Sequence, residues 1–442
     1  MRKKKACTAL CALLITALTL TLASKGRSVL ANEGTGMQSV FSREEGKGDF
    51  SEIRRMNNDR EFRGVWIAYY DFDSTKGTDR YTFRAKISAM FEKVKAMNMN
   101  SVVVHVRPFS DAMYNSKYYP WSVYASGTQG VSPGYDPLEI MVEEAHRIGL
   151  EIHAWLNPYR VTNRTVGTDI SKLSKKNPAR RWREDDDPSN DRNVLEFGGT
   201  LFYNPSSAQV RKLIVNGIKE IVKNYDVDGI HFDDYFYPDS LGDNYASNFD
   251  AKEYESYVAA RKEAGKSAMS LVKWRRNNVN KLVKSIYTAV KKIDDTVDFG
   301  ISPGGFIDFL DREHGYYVDY KTWMSVPGYI DYICPQIYWN FDKRCTYPYD
   351  TTLKRWIAEK KNDAIKLYVG IPAYKVNSDT HYDKDYGEGV TEQWQDNRIM
   401  KRMIKYAWGT EKVDGFIFFD YADMASGRNK KAVNIIAKLF AQ

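Results

Sequence analysis

Eight short apolar runs recur along the chain after residue 60. Each is rich in β-branched and aromatic residues, and most end in polar residues or proline. Most are too continuously apolar for a half-exposed antiparallel sheet, and this pattern is typical of buried parallel strands. The runs are RGVWIAYY (63–70), SVVVHVRP (101–108), EIHAWLNP (151–158), DGIHFDDY (228–235), DFGISP (298–303), YICPQIYW (332–339), KLYVGIPAY (366–374) and DGFIFFDY (414–421).

Helical patterns lie between these runs, with apolar residues at helix spacing in segments 83–98, 136–149, 204–225 and 274–294. Strands that alternate with helices in this way predict a single α/β domain, a (β/α)8 TIM barrel, over residues 61–442. Two long insertions follow the third and fourth predicted strands, at 161–200 and 236–273. Both are predicted to lie at the C-terminal face of the barrel, where long loops shape substrate sites.

The first 31 residues predict a secretory signal peptide. Residues 2–5 are basic, residues 6–23 are apolar and uncharged, and small residues precede a predicted cleavage before Asn32. An uncleaved membrane anchor is the alternative, because an apolar run of about 18 residues approaches spanning length. Residues 32–60 are predicted to form a polar arm. The protein is therefore expected to be secreted or in the cell envelope.

Charge and cysteine content narrow the function classes. The formal charge of +8 is concentrated in residues 1–31, which hold six basic residues and no acid. The remainder has 59 basic and 57 acidic residues, a net charge of +2. That balance does not indicate nucleic-acid binding. Cys334 and Cys345 follow the predicted leader, and their spacing allows either a disulfide in an oxidising compartment or two thiols.

The stretch DGIHFDDYFYP contains an adjacent acid pair, Asp233 and Asp234, where an apolar run gives way to aromatic residues. Burying such a pair costs desolvation and repulsion, so a purely structural strand has little use for it. With a period of two, Asp233 shares its face with His231 and Tyr235 and points to the barrel axis. Asp234 reaches the same site only if the strand ends and twists there; otherwise it caps or salt-bridges the loop.

Residues at the predicted strand ends are mostly aromatic, amide and carboxylate, with few cations. Sugars require this chemistry, since their CH faces stack on rings and their hydroxyls pair with amides and carboxylates. Glycosidic cleavage needs a proton donor and a group that stabilises or traps the anomeric carbon, so Asp233 and Asp234 are the candidate catalytic residues. The candidate substrate-binding residues are Tyr69, Arg107, Asn157, Arg160, His231, Tyr235, Gln336, Tyr338, Trp339, Tyr374 and Asp420.

Other chemistries have less support. The chain has no G-x-S-x-G, P-loop or H-E-x-x-H motif, and no cofactor or metal is predicted. His105, His153 and His231 lie in strands two, three and four, so a metal-dependent polysaccharide hydrolase or deacetylase is one alternative. A non-catalytic glycan-binding barrel is another. The acid pair favours an enzyme, because binding alone does not need it.

The strand motifs together resemble the bacterial glycosyl-hydrolase-like family 10, over about residues 61–425. In order, they are FRGVWIAYYD, VVVHVRPFSDAMY, EIHAWLNPYR, DGIHFDDYFYP, ISPGG, DYICPQIYWNF and GFIFFDY. The resemblance implies a secreted or envelope glycosidase that cleaves peptidoglycan glycan strands, especially strands stripped of stem peptides. It also implies a polysaccharide substrate and (β/α)8 fold. The chain departs from lipid-anchored members of the family in lacking a lipobox cysteine.

The acid pair is also similar to that of glycoside hydrolase families 84 and 20, which act on N-acetylhexosamines. That resemblance implies that Asp233 orients the 2-acetamido group, which attacks the anomeric carbon, while Asp234 protonates the leaving oxygen. A direct nucleophilic role for Asp233, with Asp234 or Asp420 as the acid, stays open. We assign binding of hydroxyls, the acetamido group or a lactyl carboxylate to Asp420, Gln336, Tyr338, Asn157 and Arg107, with Arg107 as the carboxylate's natural partner.

Overall fold

Eight parallel strands close into a barrel in the computed structural model, which describes residues 60–238, 241, 249–311, 316–378 and 391–442. In order around the barrel, the strands are β1 Phe62–Ile67, β2 Ser101–Arg107, β3 Glu151–Leu156, β6 Gly229–Phe232, β7 Asp298–Ile301, β8 Tyr332–Ile333, β9 Lys366–Pro372 and β10 Gly415–Phe419. The barrel closes where β10 pairs with β1. The (β/α)8 prediction is confirmed, and every predicted run overlaps one of the strands.

Helices follow the strands and cover the outside of the barrel. Asp136 begins one of them as predicted, because its carboxylate accepts hydrogen bonds from the first-turn N–H groups, and Gly149 ends it with a φ of 76°. All four predicted helices are present. The α-helices are Arg80–Ala96, Val123–Ser126, Pro137–Ile148, Pro178–Glu184, Ala208–Asn224, Ala251–Glu263, Leu271–Ile293, Ile307–Asp311, Tyr320–Trp323, Tyr349–Glu359, Ile399–Trp408, Tyr421–Ala425 and Lys430–Phe440.

The barrel interior is filled by aromatic and histidine rings, and two glycines make room for them. The Tyr332 hydroxyl lies 2.9 Å from Nδ1 of both His153 and His231. A Cβ at Gly300 would lie 2.1 Å from the Tyr332 ring, and one at Gly229 would lie 2.4 Å from His153 Nδ1. The close approach of these rings to the neighbouring strands therefore requires glycine at both positions.

Each predicted insertion carries its own structure. The first, at 161–200, contains the helix Pro178–Glu184 and most of an antiparallel hairpin, β4 Val194–Phe197 with β5 Thr200–Tyr203, that the sequence did not predict. The described part of the second includes Asp250, whose buried carboxylate pairs with the guanidinium of Arg275. This ion pair ties the insertion to the following long helix.

Three further predictions concern the N-terminal segment, a membrane anchor and a disulfide bond. The predicted signal peptide, and the polar arm apart from Arg60, lie outside the described residues. Within the described ranges, no helix is both long enough and apolar enough for a membrane span. No disulfide joins Cys334 and Cys345, both of which are buried. The disulfide alternative is therefore wrong.

Candidate active site

A cavity of about 370 Å³ opens at the carboxyl end of the barrel. Every barrel strand, or the segment directly after it, contributes to its wall, and aromatic side chains predominate. The structure thus brings together seven of the residues predicted from the strand ends. The cavity is lined by Trp66, Ala68, Tyr69, Tyr70, His105, Trp155, Arg160, Asp233, Tyr235, Ser302, Gln336, Tyr338, Tyr374 and Phe419.

Asp233 lies in this wall as a hydrogen-bond acceptor and is only 4% exposed. Trp155 Nε1 donates to its Oδ2 at 3.0 Å, and the backbone N–H of Tyr235 donates to its Oδ1 at 3.3 Å. Asn157 Nδ2 lies 3.3 and 3.4 Å from the two oxygens. All of these donors favour the ionised carboxylate. Burial opposes them and raises the pKa of Asp233 to about 6, although the charge of Arg160 limits the rise.

Asp234 follows the end of β6, where the chain leaves the strand in a bend. Its side chain is buried, and the cavity wall includes Asp233 but not Asp234. Burial raises the pKa of Tyr338 well above its usual value, and neighbouring groups that include Asp234 add to this rise. Asp234 is therefore within electrostatic range of a cavity hydroxyl. Its assignment as the proton donor stays a prediction.

Asn157 and Arg160 connect the loop after β3 to the acid. Asn157 Oδ1 accepts a hydrogen bond from the backbone N–H of Arg160 at 3.1 Å, while its amide nitrogen reaches Asp233. The Arg160 guanidinium carbon lies 4.9 Å from the centre of the Tyr235 ring. Asn157 therefore lies behind Asp233 and positions it, whereas Arg160 and Tyr235 form the cavity wall itself.

The opposite wall is formed by residues after β8 and β9. Gln336 Nε2 donates to the backbone oxygen of Ser302 at 3.0 Å, which fixes the amide at the cavity. The Tyr338 ring lies 5.8 Å from that of Tyr374 and 6.1 Å from that of Phe419. Together with Tyr69 across the cavity, these side chains provide the aromatic surface and polar groups that a sugar requires.

Arg107 does not lie in the cavity, contrary to the sequence-based expectation. A register shift between His105 and Arg107 interrupts the pairing of β2 with β3. Such a bulge re-aims the next side chain. The Arg107 guanidinium carbon lies 4.5 Å from the centre of the Tyr119 ring, and its Nη1 would be 3.4 Å from a Cβ at Gly217. Arg107 is thus buried between the barrel and the surrounding helices.

His231 and Trp339 are also outside the cavity wall. His231 lies deeper in the barrel, where its Nε2 accepts a hydrogen bond from Trp66 Nε1 at 3.1 Å. Trp339 is buried, with its ring 5.0 Å from that of Tyr347. His231 does face the barrel axis, as the period of two predicts. It precedes the end of its strand, so it packs in the interior below the cavity.

Asp420 contacts the cavity through another side chain. The hydroxyl of Tyr70, which lines the cavity, donates a hydrogen bond to Asp420 Oδ2. Asp420 Oδ1 accepts from the backbone N–H of Asp423 at 3.1 Å, and Asp420 caps the helix Tyr421–Ala425. Burial and the charge of Asp420 raise the pKa of Asp71 to about 7. Asp71, Asp420 and Asp423 therefore form a second group of carboxyls beside the cavity. The side chain of Tyr70 lies between Asp420 and the substrate space.

Seven cavity residues were absent from the predicted catalytic and substrate-binding set: Trp66, Ala68, Tyr70, His105, Trp155, Ser302 and Phe419. Trp66 and Phe419 lie inside continuously apolar runs, whereas His105 entered the sequence analysis as a possible metal ligand. The available signal was strand parity: Trp155 shares a face with Asn157, two residues further along the same run. Aromatic residues near the carboxyl ends of the barrel strands therefore pack in the barrel and also form the cavity surface.

The three strand histidines do not converge on a metal site. His153 and His231 share the Tyr332 hydroxyl inside the barrel, whereas the His105 ring stacks on Trp155 with 3.8 Å between the ring centres. Among the residues that the structure describes, no group of three His, Cys, Asp or Glu side chains is arranged to hold a metal ion.

A buried carboxylate in an aromatic cavity at the C-terminal end of a (β/α)8 barrel is an arrangement that suits glycosidic cleavage. The chain belongs to the glycosyl hydrolase-like 10 family, whose model matches residues 61–388. With this membership, the protein is a glycoside hydrolase.

Relatives support the assignment. The chain is 38% identical over 388 residues to the glycosyl hydrolase YngK of Bacillus subtilis (strain 168), covering 83% of this chain and 69% of the relative. It is 31% identical over 406 residues to the glycosyl hydrolase DigH of Escherichia coli (strain K12), covering 85% and 86%. The PgaB (BpsB) glycoside hydrolase domain from Bordetella bronchiseptica has the same fold, with a TM-score of 0.55, 12% identity and coverage of 86% and 99%.

Proposed function

We propose that the protein hydrolyses glycosidic bonds in peptidoglycan glycan strands, the polymer of N-acetylglucosamine and N-acetylmuramic acid, and acts on peptide-free strands. The observation that carries the proposal is Asp233, a buried carboxylate held by three donors in an aromatic cavity and followed directly by Asp234. An acceptor fixed in this way suits the N–H of a 2-acetamido group. We therefore propose a sugar that bears this group as the substrate.

We propose a substrate-assisted mechanism for the cleavage. The acetamido oxygen attacks the anomeric carbon as the bond to the leaving oxygen breaks, and Asp234 donates its proton to that oxygen. Asp233 accepts a hydrogen bond from the acetamido N–H and stabilises the positive charge that develops on the resulting ring. Water then attacks the anomeric carbon, Asp234 takes up its proton, and the acetamido group re-forms. Two displacements at one carbon leave its configuration retained.

We further propose that residues 1–31 direct the chain across the membrane and that it acts in the cell envelope or outside the cell. The basic, apolar and small-residue regions of the leader support this proposal. N-terminal sequencing of the exported protein tests it. A chain that begins at Asn32 is the expected result, and a membrane-bound chain that keeps its leader would favour the anchor.

The substrate is tested by incubating the purified protein with peptide-free glycan strands, intact peptidoglycan and chitin oligomers, and reading the products by mass spectrometry. Short saccharides with hydrated ends, released from peptide-free strands, are expected. Retention of the protein on glycan without any product would support a glycan-binding barrel instead. Loss of activity with a chelator, restored by added metal, would support the metal-dependent alternative.

The mechanism is tested with two inhibitors. A thiazoline derived from N-acetylglucosamine mimics the cyclic intermediate, and we expect it to inhibit competitively. A 2-fluoro sugar lacks the acetamido group and traps enzymes that use a carboxylate nucleophile. Covalent labelling of Asp233 by that reagent, with no inhibition by the thiazoline, would replace the substrate-assisted mechanism by direct nucleophilic attack.

The pH dependence of kcat/KM should follow the ionisation of Asp233. Because the carboxylate form accepts the acetamido N–H and its pKa is raised to about 6, kcat/KM should fall as the pH drops through about 6. Asn157→Ala removes a donor that favours the carboxylate, so the acidic limb should move to higher pH. Asn163→Ala, in the same segment after β3, serves as the control and should leave the limb in place. An unshifted limb in Asn157→Ala would contradict the assignment.

Asp234→Ala should lower the turnover of glycan strands by about 10²- to 10⁴-fold, the usual contribution of a general acid. A p-nitrophenyl glycoside has a leaving group that needs little protonation. The same variant should therefore lose much less activity on that substrate. Equal losses on the two substrates would remove Asp234 from the role of proton donor, and steady-state kinetics on both substrates provide the comparison.

A further inference from the structure

His105 is a cavity residue without a role in the proposed mechanism. It belongs to β2, lines the cavity and is 2% exposed. Neither ring nitrogen is hydrogen-bonded to any residue in the part of the chain that the structure describes. Two buried polar atoms without partners cost free energy, and in native proteins such atoms usually have a reason. In the wall of a substrate cavity, the missing partner is expected on the substrate.

The orientation of the imidazole is fixed by its neighbours. Its ring is nearly parallel to that of Trp155, at 11° and 3.8 Å between centres, and meets the edge of the Tyr69 ring at 5.6 Å. Trp155 in turn donates to Asp233. His105, Trp155 and Asp233 therefore form one continuous, preorganised part of the wall.

We propose that His105 is a substrate-binding residue that hydrogen-bonds a hydroxyl or amide group of the sugar bound against Asp233. In the neutral imidazole one ring nitrogen donates a hydrogen bond and the other accepts one. The ring can therefore bind a sugar group that is a donor or an acceptor. The proposal rests on the glycoside hydrolase activity and on the cavity geometry, and it does not require the sugar to come from peptidoglycan.

The environment of His105 suits this use. Burial lowers the pKa of His105 well below its usual value, and the charge of Arg160 adds to the effect. The ring therefore stays neutral at neutral pH. Positive charge develops on the sugar ring during glycosidic cleavage. A neutral group can bind the sugar there without opposing that charge, whereas a lysine at the same position would oppose it.

Three variants of the full chain test the proposal. His105→Phe keeps a flat ring against Trp155 and removes both nitrogens, His105→Asn offers an amide near the position of Nδ1, and His105→Gln offers one near Nε2. We expect His105→Phe to lower kcat/KM by about 10- to 100-fold with an unchanged melting temperature. One amide variant should recover activity and thereby identify the contacting nitrogen. Wild-type kcat/KM in His105→Phe, or equal losses with lowered melting temperatures in all three variants, would overturn the proposal.

The contacting group on the sugar is found with deoxy analogues of whichever saccharide the wild-type protein cleaves. Removing that group should cost the wild type about the same factor as His105→Phe, and should cost His105→Phe little more, because the two changes remove one interaction. Equal sensitivity of both proteins to every deoxy analogue would overturn the contact. Cleavage of a saccharide outside peptidoglycan would refute the proposed substrate, and the His105 comparison would then be made on that saccharide.

Discussion

Asp233→Ala is expected to lower kcat/KM by about 10³-fold or more while the protein keeps its fold. The carboxylate is held by Trp155, Asn157 and a backbone N–H, so its negative charge is fixed where positive charge develops on the substrate. Steady-state kinetics and circular dichroism provide the measurement. Unlike Asp234→Ala, this variant should lose activity equally on glycan strands and on a p-nitrophenyl glycoside, because Asp233 acts on the sugar ring and not on the leaving group.

Asp233→Asn measures what the charge of Asp233 costs in stability, separately from its role in the reaction. Burial raises the pKa of Asp233 from 3.8 to about 6, so the folded protein binds a proton at Asp233 more tightly than the unfolded chain does. The charged form therefore costs on the order of 3 kcal/mol of stability. This cost is absent below pH 3.8 and complete above pH 6. The melting temperature of the variant relative to that of the wild type should therefore be higher at pH 7 than at pH 3.8. The amide nitrogen of Asn cannot accept from the N–H donors around Asp233, and the cost of that mismatch is the same at both pH values.

The control for both substitutions is Asp73→Asn, since the Asp73 side chain is 62% exposed. It should change neither activity nor melting temperature. Substantial activity in Asp233→Ala would refute the central assignment. A melting-temperature difference between Asp233→Asn and the wild type that is the same at pH 3.8 and pH 7 would contradict the raised pKa of Asp233.

Gly300→Ala is expected to destabilise the protein by about 3 kcal/mol, the upper part of the range for overpacked cores. The added Cβ would lie 2.1 Å from the Tyr332 ring, which has no room to move inside the barrel. Displacing that ring also disturbs the contacts of its hydroxyl with His153 and His231. The melting temperature and the urea midpoint measure the loss.

Gly427→Ala is the matched control, because nothing lies within 4 Å of a Cβ at that position and its φ is not positive. It should melt like the wild type. If Gly300→Ala also melts like the wild type, the rings in the barrel interior are less tightly packed than the contacts of Tyr332 indicate.

The sequence by itself determined the strands, their order and the end of the barrel that carries the site. Buried parallel strands are continuously apolar, and capped helices begin and end at characteristic residues, so both are legible over short stretches of chain. Strand parity also placed Asp233 toward the axis, because the side-chain period of two is a local property. The same parity failed for Arg107, where a bulge re-aims the side chain.

Only the tertiary structure decided which strand-end side chains meet in one cavity. Barrel closure brings Trp66, His105 and Trp155 to the cavity wall beside Asp233, and it leaves His231 below them. Depth along the barrel axis depends on the register between neighbouring strands, which is set by contacts far apart in the chain. The sequence of a single strand shows its own side-chain period but not its register with the neighbouring strands.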